Sequence, residues 1–526
     1  MSENFFHLLQ YAAGKRLDAP ALLRPGCDSV SYGSLMAESA RLAGLLLKLG
    51  VAPGDRVLVQ TSKSLEAVAL YLACLRCGAI YVPINTAYTG AEVAYFLEDA
   101  EPALFVCDAG DADGYAGQIG ALGLGTVLRS LNADGSGSLM SDPALPAPGE
   151  LDKELAKLVV PRDGEDLAAI LYTSGTTGRS KGAMLTHSNL ATSSVMLVDY
   201  WGWQDDDVLL HALPIFHVHG LFIALHCAML KATPMIFLPG FDAETVLEAL
   251  PEATVMMGVP TFYSRLLAQA SLDEARCAHV RLFISGSAPL TTQTFEAFEA
   301  RTGHRILERY GMSETMMNIS NPLEGQRVAG TVGFPLPGVE VRITNEAGDQ
   351  LAAGEVGVIE VRGPNVFKGY WQMPEKTAEE FRADGFFITG DQAVMDETGR
   401  VSIVGREKDM VISGGYNVYP KEIETLIDEM PEVQESAVIG VPHPDFGEGV
   451  VAVVVPSGAA VEQVAVDSAL AGKLARFKQP KHIVNLPELP RNAMGKVQKN
   501  QLRQEYGGLF TGAADGQRGN DGAGGA

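Results

Sequence analysis

The chain carries two hydrophobic patterns in alternation. Short apolar runs, Arg56–Gln60, Ile80–Ile84 and Ala103–Cys107, are separated by longer segments with apolar residues every three or four positions. The runs predict strands buried on both faces, and the wider spacing predicts helices. Their alternation predicts an α/β domain with a largely parallel sheet. The rhythm resumes at Leu167–Tyr172, Val208–Leu213, Pro234–Leu238, Thr254–Gly258 and Arg281–Ser285. From Val339 to Phe367 strands follow one another without helices, which predicts a β subdomain. After Gly405 short strands and helices mix, as in a small α+β domain. Asp134–Leu151, rich in Gly, Ser, Pro and Ala, reads as a loose loop. The tail from Gly507, GGLFTGAADGQRGNDGAGGA, is too poor in apolar residues to bury a core and is expected to be disordered.

A chain of 526 residues is too long for one core. The expected division is an N-terminal domain at 1–405, a small α+β domain at 406–506 and the tail at 507–526. The net charge of −24 argues against nucleic acid or an anionic membrane as a partner. It also requires any site for anions to be locally basic or to use a divalent cation. The start, MSENFFHLLQYAAGKRL, lacks the cationic-then-apolar order of a signal peptide. The most apolar span, Leu221–Leu230, contains His226 and is closed by Lys231, so no membrane helix is expected. Cys74 and Cys77 form a CxxC inside SLEAVALYLACLRCG, which reads as an amphipathic helix ending at Gly78. Spacing of three puts both thiols on one face. A metal or redox site needs further ligands nearby, and none follow. Buried structural cysteines in a reducing, cytoplasmic compartment are expected.

The densest chemistry lies at Leu171–His187, LYTSGTTGRSKGAMLTH. An apolar run ends at Tyr172, a loop of glycines and hydroxyls follows, and a helical run is expected after it. Strand, Gly-rich loop and helix in that order form a phosphate-binding arrangement, with Lys181 and Arg179 adding positive charge. It is not a Walker loop, because Lys181 is followed by Gly182 instead of Ser or Thr. The bland alternative is a flexible surface loop.

Other stretches are less specific. HALPIFHVHG, 211–220, holds three histidines; core histidines at a strand end fit it better than zinc, for which a carboxylate is missing. LFISGSAPL, 282–290, is a strand ending in a Ser/Gly turn of the kind that faces ligand in α/β sheets. In ILERYGMSET, 306–315, Glu314 suits Mg2+, a hard cation that takes oxygen ligands and bridges phosphates. FFITGD ends an apolar run in Asp391, an acidic residue able to hold ribose hydroxyls. Gly414 and Gly415 allow close backbone approach. Lys473, Arg476, Lys478, Lys481, Arg491, Lys496, Lys499 and Arg503 form a local basic excess in an acidic chain.

TSGTTGRSKG resembles the signature loop of the adenylate-forming superfamily of acyl-CoA synthetases, luciferases and adenylation domains. The likeness runs in order to about Tyr506. It implies a large N-terminal domain, a small rotating C-terminal domain, and ATP, Mg2+ and CoA as reactants and cofactor. It assigns the ATP phosphates to Thr173, Ser174, Gly175, Thr176, Thr177, Gly178 and Lys181. Nucleotide contacts fall on Ser287, Tyr310, Gly311, Thr315, Asp391 and Arg406, and Mg2+ on Glu314 with Thr176. Ser313 stands where that family usually has Thr, and the hydroxyl is kept. His217 and Met316 are expected to line the acyl pocket, with His217 also gating it. Lys408 matches the hinge, Gly414 and Gly415 the pantetheine channel, and Lys496 the lysine that stabilises charge as the carboxylate attacks the α-phosphate. Lys496 is also a candidate target for a lysine acetyltransferase. The basic excess could receive the CoA phosphates.

HALPIFHVHGLF, MGVPTFYSRLL, RLFISGSAPL and ERYGMSETMMN together resemble the malonyl-CoA synthetases within that superfamily. Malonate is therefore the expected acid and methylmalonate a second one. Arg309, beside Tyr310, is the expected partner of the distal carboxylate, unless it pairs with Glu308 or faces solvent. Three alternatives stand: a short- or medium-chain monocarboxylate ligase, a module loading a carrier protein, and a silent nucleotide-binding protein. No carrier-like segment follows Tyr506, and Lys496 and Glu314 are both present.

Overall fold

The computed structural model describes residues 3–148, 153–173, 180–413, 416–471, 473–492 and 495–510. They fall into two compact units, one drawn from 1–287, 297–342 and 360–388, the other from 288–296, 343–359 and 389–526.

In the first unit the predicted apolar runs form sheets. Arg56–Gln60 (β1), Ile80–Pro83 (β2), Leu104–Cys107 (β3), Val127–Ser130 (β4), Leu167–Thr173 (β5) and Lys181–Thr186 (β6) make one sheet in the order β4-β3-β1-β2-β5-β6. It is parallel except at the β5–β6 edge. Leu58, Val82, Phe105 and Ile170 from four of its strands share one core cluster with Phe96 and Ile119 of flanking helices. Leu209–His211 (β7), Met235–Phe237 (β8), Val255–Gly258 (β9), Leu282–Ser285 (β10) and Leu307–Tyr310 (β11) form the parallel centre of a second sheet, in the order β11-β10-β9-β7-β8.

Two sequence expectations change here. Leu65–Cys77 (α1) starts at Ser64, whose side chain accepts from the Ala67 amide, and ends at Gly78 with φ +69°. Every residue from Ala67 to Cys77 is buried, so the helix is enclosed all round instead of amphipathic. Even Arg76 is buried, its guanidinium saturated by Ser39 Oγ at 2.9 Å and the carbonyls of Leu158 at 3.0 Å, Met36 at 3.2 Å and Ala156 at 3.3 Å. Cys74 and Cys77 sit fully buried on it as free thiols, and burial pushes both thiol pKa values up.

The second change concerns the Gly-rich loop. No helix follows it directly. Strand β6 comes first, antiparallel to β5 with Thr173 opposite Lys181, and only then His187–Tyr200 (α2). Thr186 and Asn189 close a capping box that starts α2 there. The loop thus joins a hairpin, and the helix-terminus argument for anion binding does not apply to it.

Phe387–Met395 (β12) and Val401–Arg406 (β13) form a hairpin that belongs to the second unit from Thr389 onward. Beyond it, Val411–Ser413 (β14), Tyr416–Val418 (β15), Val433–His443 (β16), Gly447–Pro456 (β17) and His482–Asn485 (β18) form a sheet in the order β15-β14-β17-β16, with β18 beside β17. The run GVVAVVVP in β17 is buried on both faces. Val450, Ala452 and Val454 join Ile423 and Ile427 of Pro420–Asp428 (α3). Val451, Val453 and Val455 join Leu502 of Lys499–Tyr506 (α4). Period-two alternation inside a continuous apolar run is the expected signature of such a strand. Leu509 and Phe510, assigned by the sequence to the tail, pack against this second cluster. Residues 511–526 of the predicted tail lie outside the described residues.

Candidate active site

The site residues in the first unit gather around the ends of β5, β10 and β11. Ser174, Gly175, Thr176, Thr177, Gly178 and Arg179 lie outside the described residues, whereas Thr173 before that stretch and Lys181 after it are described. Lys181 is buried at the start of β6, its Nζ donating to Glu380 Oε1 at 2.9 Å and lying 4.1 Å from the centre of the Tyr370 ring. The Tyr370 hydroxyl donates to Glu380 Oε2 at 2.6 Å and lies 3.2 Å from Glu314 Oε1. Thr173 Oγ1 lies 3.3 Å from that same oxygen. Thr173, Glu314, Tyr370, Glu380 and Lys181 therefore form one polar chain linking the loop's flanks to the turn after β11. Burial pushes the Glu380 carboxyl up, but hydrogen bonds from Tyr370 and Lys181 outweigh it and hold the group below its usual range. Tyr370 and Glu380 escaped the sequence reading. Glu380 lies 199 positions from Lys181, and no local spacing signals such a pair.

Glu314 and Thr173 present oxygen atoms only, which fits a hard divalent cation. Among the described residues no group of three or more His, Cys, Asp or Glu is placed to hold a metal. A cation here would rest on one carboxylate and on oxygens of a phosphate ligand, the usual arrangement for Mg2+. Thr176, the other expected ligand, is outside the described residues.

Arg309 lies within β11, opposite Ser320 of a neighbouring antiparallel strand, and is 5% exposed. Its Nε and Nη2 are buried without a hydrogen-bond partner. Burial lowers its pKa to about 9, against the opposing influence of Tyr263 and Glu308. It is therefore neither solvent-facing nor saturated by Glu308. His219, one of the three histidines read as core residues, is fully buried, with Nδ1 3.3 Å from Ser287 Oγ. Burial, then Arg309, His217 and His211, hold its pKa well below the usual imidazole value, so it is neutral. His217 is part-buried and accepts from the His219 amide at Nδ1, 3.3 Å. His211 is a core histidine, its Nε2 donating to the Gly220 carbonyl at 3.0 Å and its Nδ1 accepting from Lys63 at 2.8 Å.

Backbone strain collects in the same place. Ser287 has φ +72° and Met316 φ +54°, each costing on the order of 1–3 kcal/mol. A side chain on Gly311 would overlap the Met316 carbonyl, so the turn after Tyr310 needs glycine there. Thr315 is fully buried, its hydroxyl accepting from Asn318 Nδ2 at 2.7 Å and its carbonyl from Asn365 Nδ2 at 2.7 Å. Tyr310 ends β11 and is 9% exposed.

A second group lies in the second unit. The apolar run ends at Asp391, while strand β12 continues to Met395, with Asp391 paired across the hairpin with Arg406. The two side chains form an ion pair at 2.9 Å. Lys408 lies exposed on the turn Glu407–Asp409, and Asp409 accepts from Arg503 of α4 at 2.8 Å. Lys496 is exposed between β18 and α4, its amide donating to Asn492 Oδ1 at 3.0 Å. Gly414 and Gly415 lie outside the described residues. The expected basic excess is largely neutralised within the unit. Lys478 pairs with Glu422, Lys499 with Glu424, Arg491 with Glu435 and Arg503 with Asp409.

Residues 9–371 match the family described as AMP-binding enzyme, and 422–496 match the AMP-binding enzyme C-terminal domain. The mitochondrial malonate–CoA ligase of Mus musculus is 37% identical over 511 residues, covering 90% of this chain and 85% of that protein. The malonate–CoA ligase of Arabidopsis thaliana is 34% identical over 528 residues, covering 90% and 84%. The crystal structure of ATP-bound MatB from Rhodopseudomonas palustris superposes with a TM-score of 0.92 at 53% identity, covering 97% of this chain and all of that one.

Proposed function

The chain belongs to the AMP-binding enzymes, and from that premise we propose that it joins malonate to CoA using ATP, giving malonyl-CoA, AMP and pyrophosphate, with methylmalonate as a second substrate. The observation that carries the substrate is Arg309, a buried guanidinium with two unpartnered nitrogens. A short diacid brings one carboxylate to be activated and one that needs such a partner. A planar guanidinium offers it two parallel donors.

The first step is attack of one malonate oxygen on the α-phosphorus of ATP, with pyrophosphate leaving. The second is attack of the CoA sulfur on the acyl carbon, with loss of the thiol proton and departure of AMP. Neither step needs a protein nucleophile; the protein orients two anions and offsets their repulsion. Lys181 and residues 173–178 are assigned to the phosphates, Tyr310, Gly311, Thr315 and Ser287 to the nucleotide, and Asp391 with Arg406 to the ribose side. His217 and Met316 line the acyl pocket. Bound at Glu314 and Thr176, Mg2+ would supply phosphate charge neutralisation. Lys496 serves the first step, and Gly414 and Gly415 serve pantetheine in the second. Lys408 is the hinge between a domain at 1–405 and one at 406–506.

The exposure of Lys496 makes it accessible to a lysine acetyltransferase. Six free cysteines support a reducing, cytoplasmic compartment, and no helix among the described residues is long and apolar enough to cross a membrane. The acyl acceptor is free CoA, not a carrier protein. An ATP–pyrophosphate exchange screen over acetate, butyrate, octanoate, malonate, methylmalonate and succinate tests the reading. Malonate should lead by at least an order of magnitude; a lead by butyrate or octanoate overturns it.

A further inference from the structure

We infer that Gly286 positions the Arg309 guanidinium and thereby sets selectivity for short dicarboxylates; the selectivity half rests on the assignment of Arg309 to the distal carboxylate. Gly286 follows β10, and its amide lies 3.3 Å from the Gly258 carbonyl of β9. The guanidinium of Arg309, from the adjacent strand β11, fills the place where a side chain at 286 would stand. A Cβ there would come within 2.5 Å of both Nε and Nη1 and closer still to Cζ. Ordinary contact begins at 3.4 Å, so the group would have to withdraw by about 1 Å.

The usual reason for a glycine does not hold at this position. Gly286 is not among the residues with positive φ, whereas the next residue, Ser287, is. A backbone-driven choice would place glycine at 287 and a side chain at 286. The chain does the reverse: it accepts strain at a serine and omits a side chain where the backbone permits one. What the omission provides is room for Arg309. The atoms crowded are the far end of a side chain and not backbone, so an alanine would shift the guanidinium and leave β10 and β11 in place. Because Arg309 is buried among packed groups, the shift would misalign its two unpartnered nitrogens relative to the bound carboxylate.

The test is a double-mutant cycle of Gly286→Ala and Arg309→Leu in the full-length enzyme, with the crystal structure of Gly286→Ala. Gly286→Ala is expected to raise KM for malonate tenfold or more, to leave KM for ATP within twofold, and to move Arg309 Cζ by about 1 Å. In the Arg309→Leu background, where no guanidinium occupies the space, it should add less than twofold. If Arg309→Leu abolishes malonate use while Gly286→Ala keeps wild-type KM, the inference is overturned and the assignment of Arg309 stands. If Arg309→Leu keeps malonate use, the assignment fails and selectivity with it, and the displacement of Cζ alone decides the positioning role. An equal penalty in both backgrounds, or an unmoved Cζ, overturns positioning. Should Gly286→Ala fail to fold, recovery of folding in the double variant would support the clash with Arg309, and its absence would refute it.

Discussion

Replacing Arg309 with leucine removes the group proposed to separate a diacid site from an apolar acyl pocket. The wild-type guanidinium is 5% exposed and has two buried nitrogens without partners. A carboxylate placed against them gains a charge-assisted pair of about 3 kcal/mol. Its loss corresponds to about two orders of magnitude in kcat/KM. Leucine also leaves the distal carboxylate buried and unpaired, which makes that figure a lower bound. For butyrate the sign reverses, because a monocarboxylate no longer strands a buried cation. The ligand-free variant should also be more resistant to denaturant, since an unpaired buried charge has been replaced by an apolar group. The assays are carboxylate-dependent ATP–pyrophosphate exchange with malonate and butyrate, and urea melts without ligand. Retained malonate preference would refute the assignment. Lost malonate activity with an equal loss of stability and no gain on butyrate would make Arg309 a structural residue.

Lys496→Ala should lose pyrophosphate exchange by about 10²- to 10³-fold yet still convert supplied malonyl-AMP and CoA to thioester; equal loss of both half-reactions would contradict the division of roles. Tyr370→Phe removes the hydroxyl that donates to Glu380 and lies 3.2 Å from Glu314. It should destabilise the protein by about 1–3 kcal/mol and shift the Mg2+ dependence of exchange, and an unchanged Mg2+ titration would show that the tyrosine does not tune Glu314. Asp428 is 6% exposed, and burial raises its pKa from 3.8 to about 7. The native state therefore holds the extra proton between those values, and stability from this group falls as pH rises through that window, by up to about 4 kcal/mol. Asp428→Asn should flatten that slope in urea melts at pH 4 to 8 and stabilise the protein at pH 8; an unaltered slope would assign it to other groups.

The strands were legible in the sequence because a run such as GVVAVVVP has one good outcome, burial on both faces. Helix α1 was misread because Glu66 and Arg76 look like a polar face. Only the fold reveals that Arg76 meets a ring of carbonyls contributed by distant segments. The helical run expected after the Gly-rich loop, with Asn189 and Leu190 inside it, is present as α2, but strand β6 comes between. Its pairing with β5 is a tertiary effect that local preference does not signal. Lys181, Glu314 and Arg309 were singled out from residue type and neighbours, and their roles belong to the proposal. Tyr370 and Glu380 were not singled out, since their contacts come from partners far along the chain; His219 was legible as a core histidine, but not its contact with Ser287.

Arg76 and Arg309 are both buried arginines, yet one meets enough acceptors and the other does not. The folded chain thus lacks a part that a diacid can provide. An acid present at a hundred times its dissociation constant would add about 2.7 kcal/mol to the resistance of the protein to opening. In a cell, that difference governs how long a molecule escapes proteases. Enzyme abundance should then follow the supply of its acid, with no transcriptional control required.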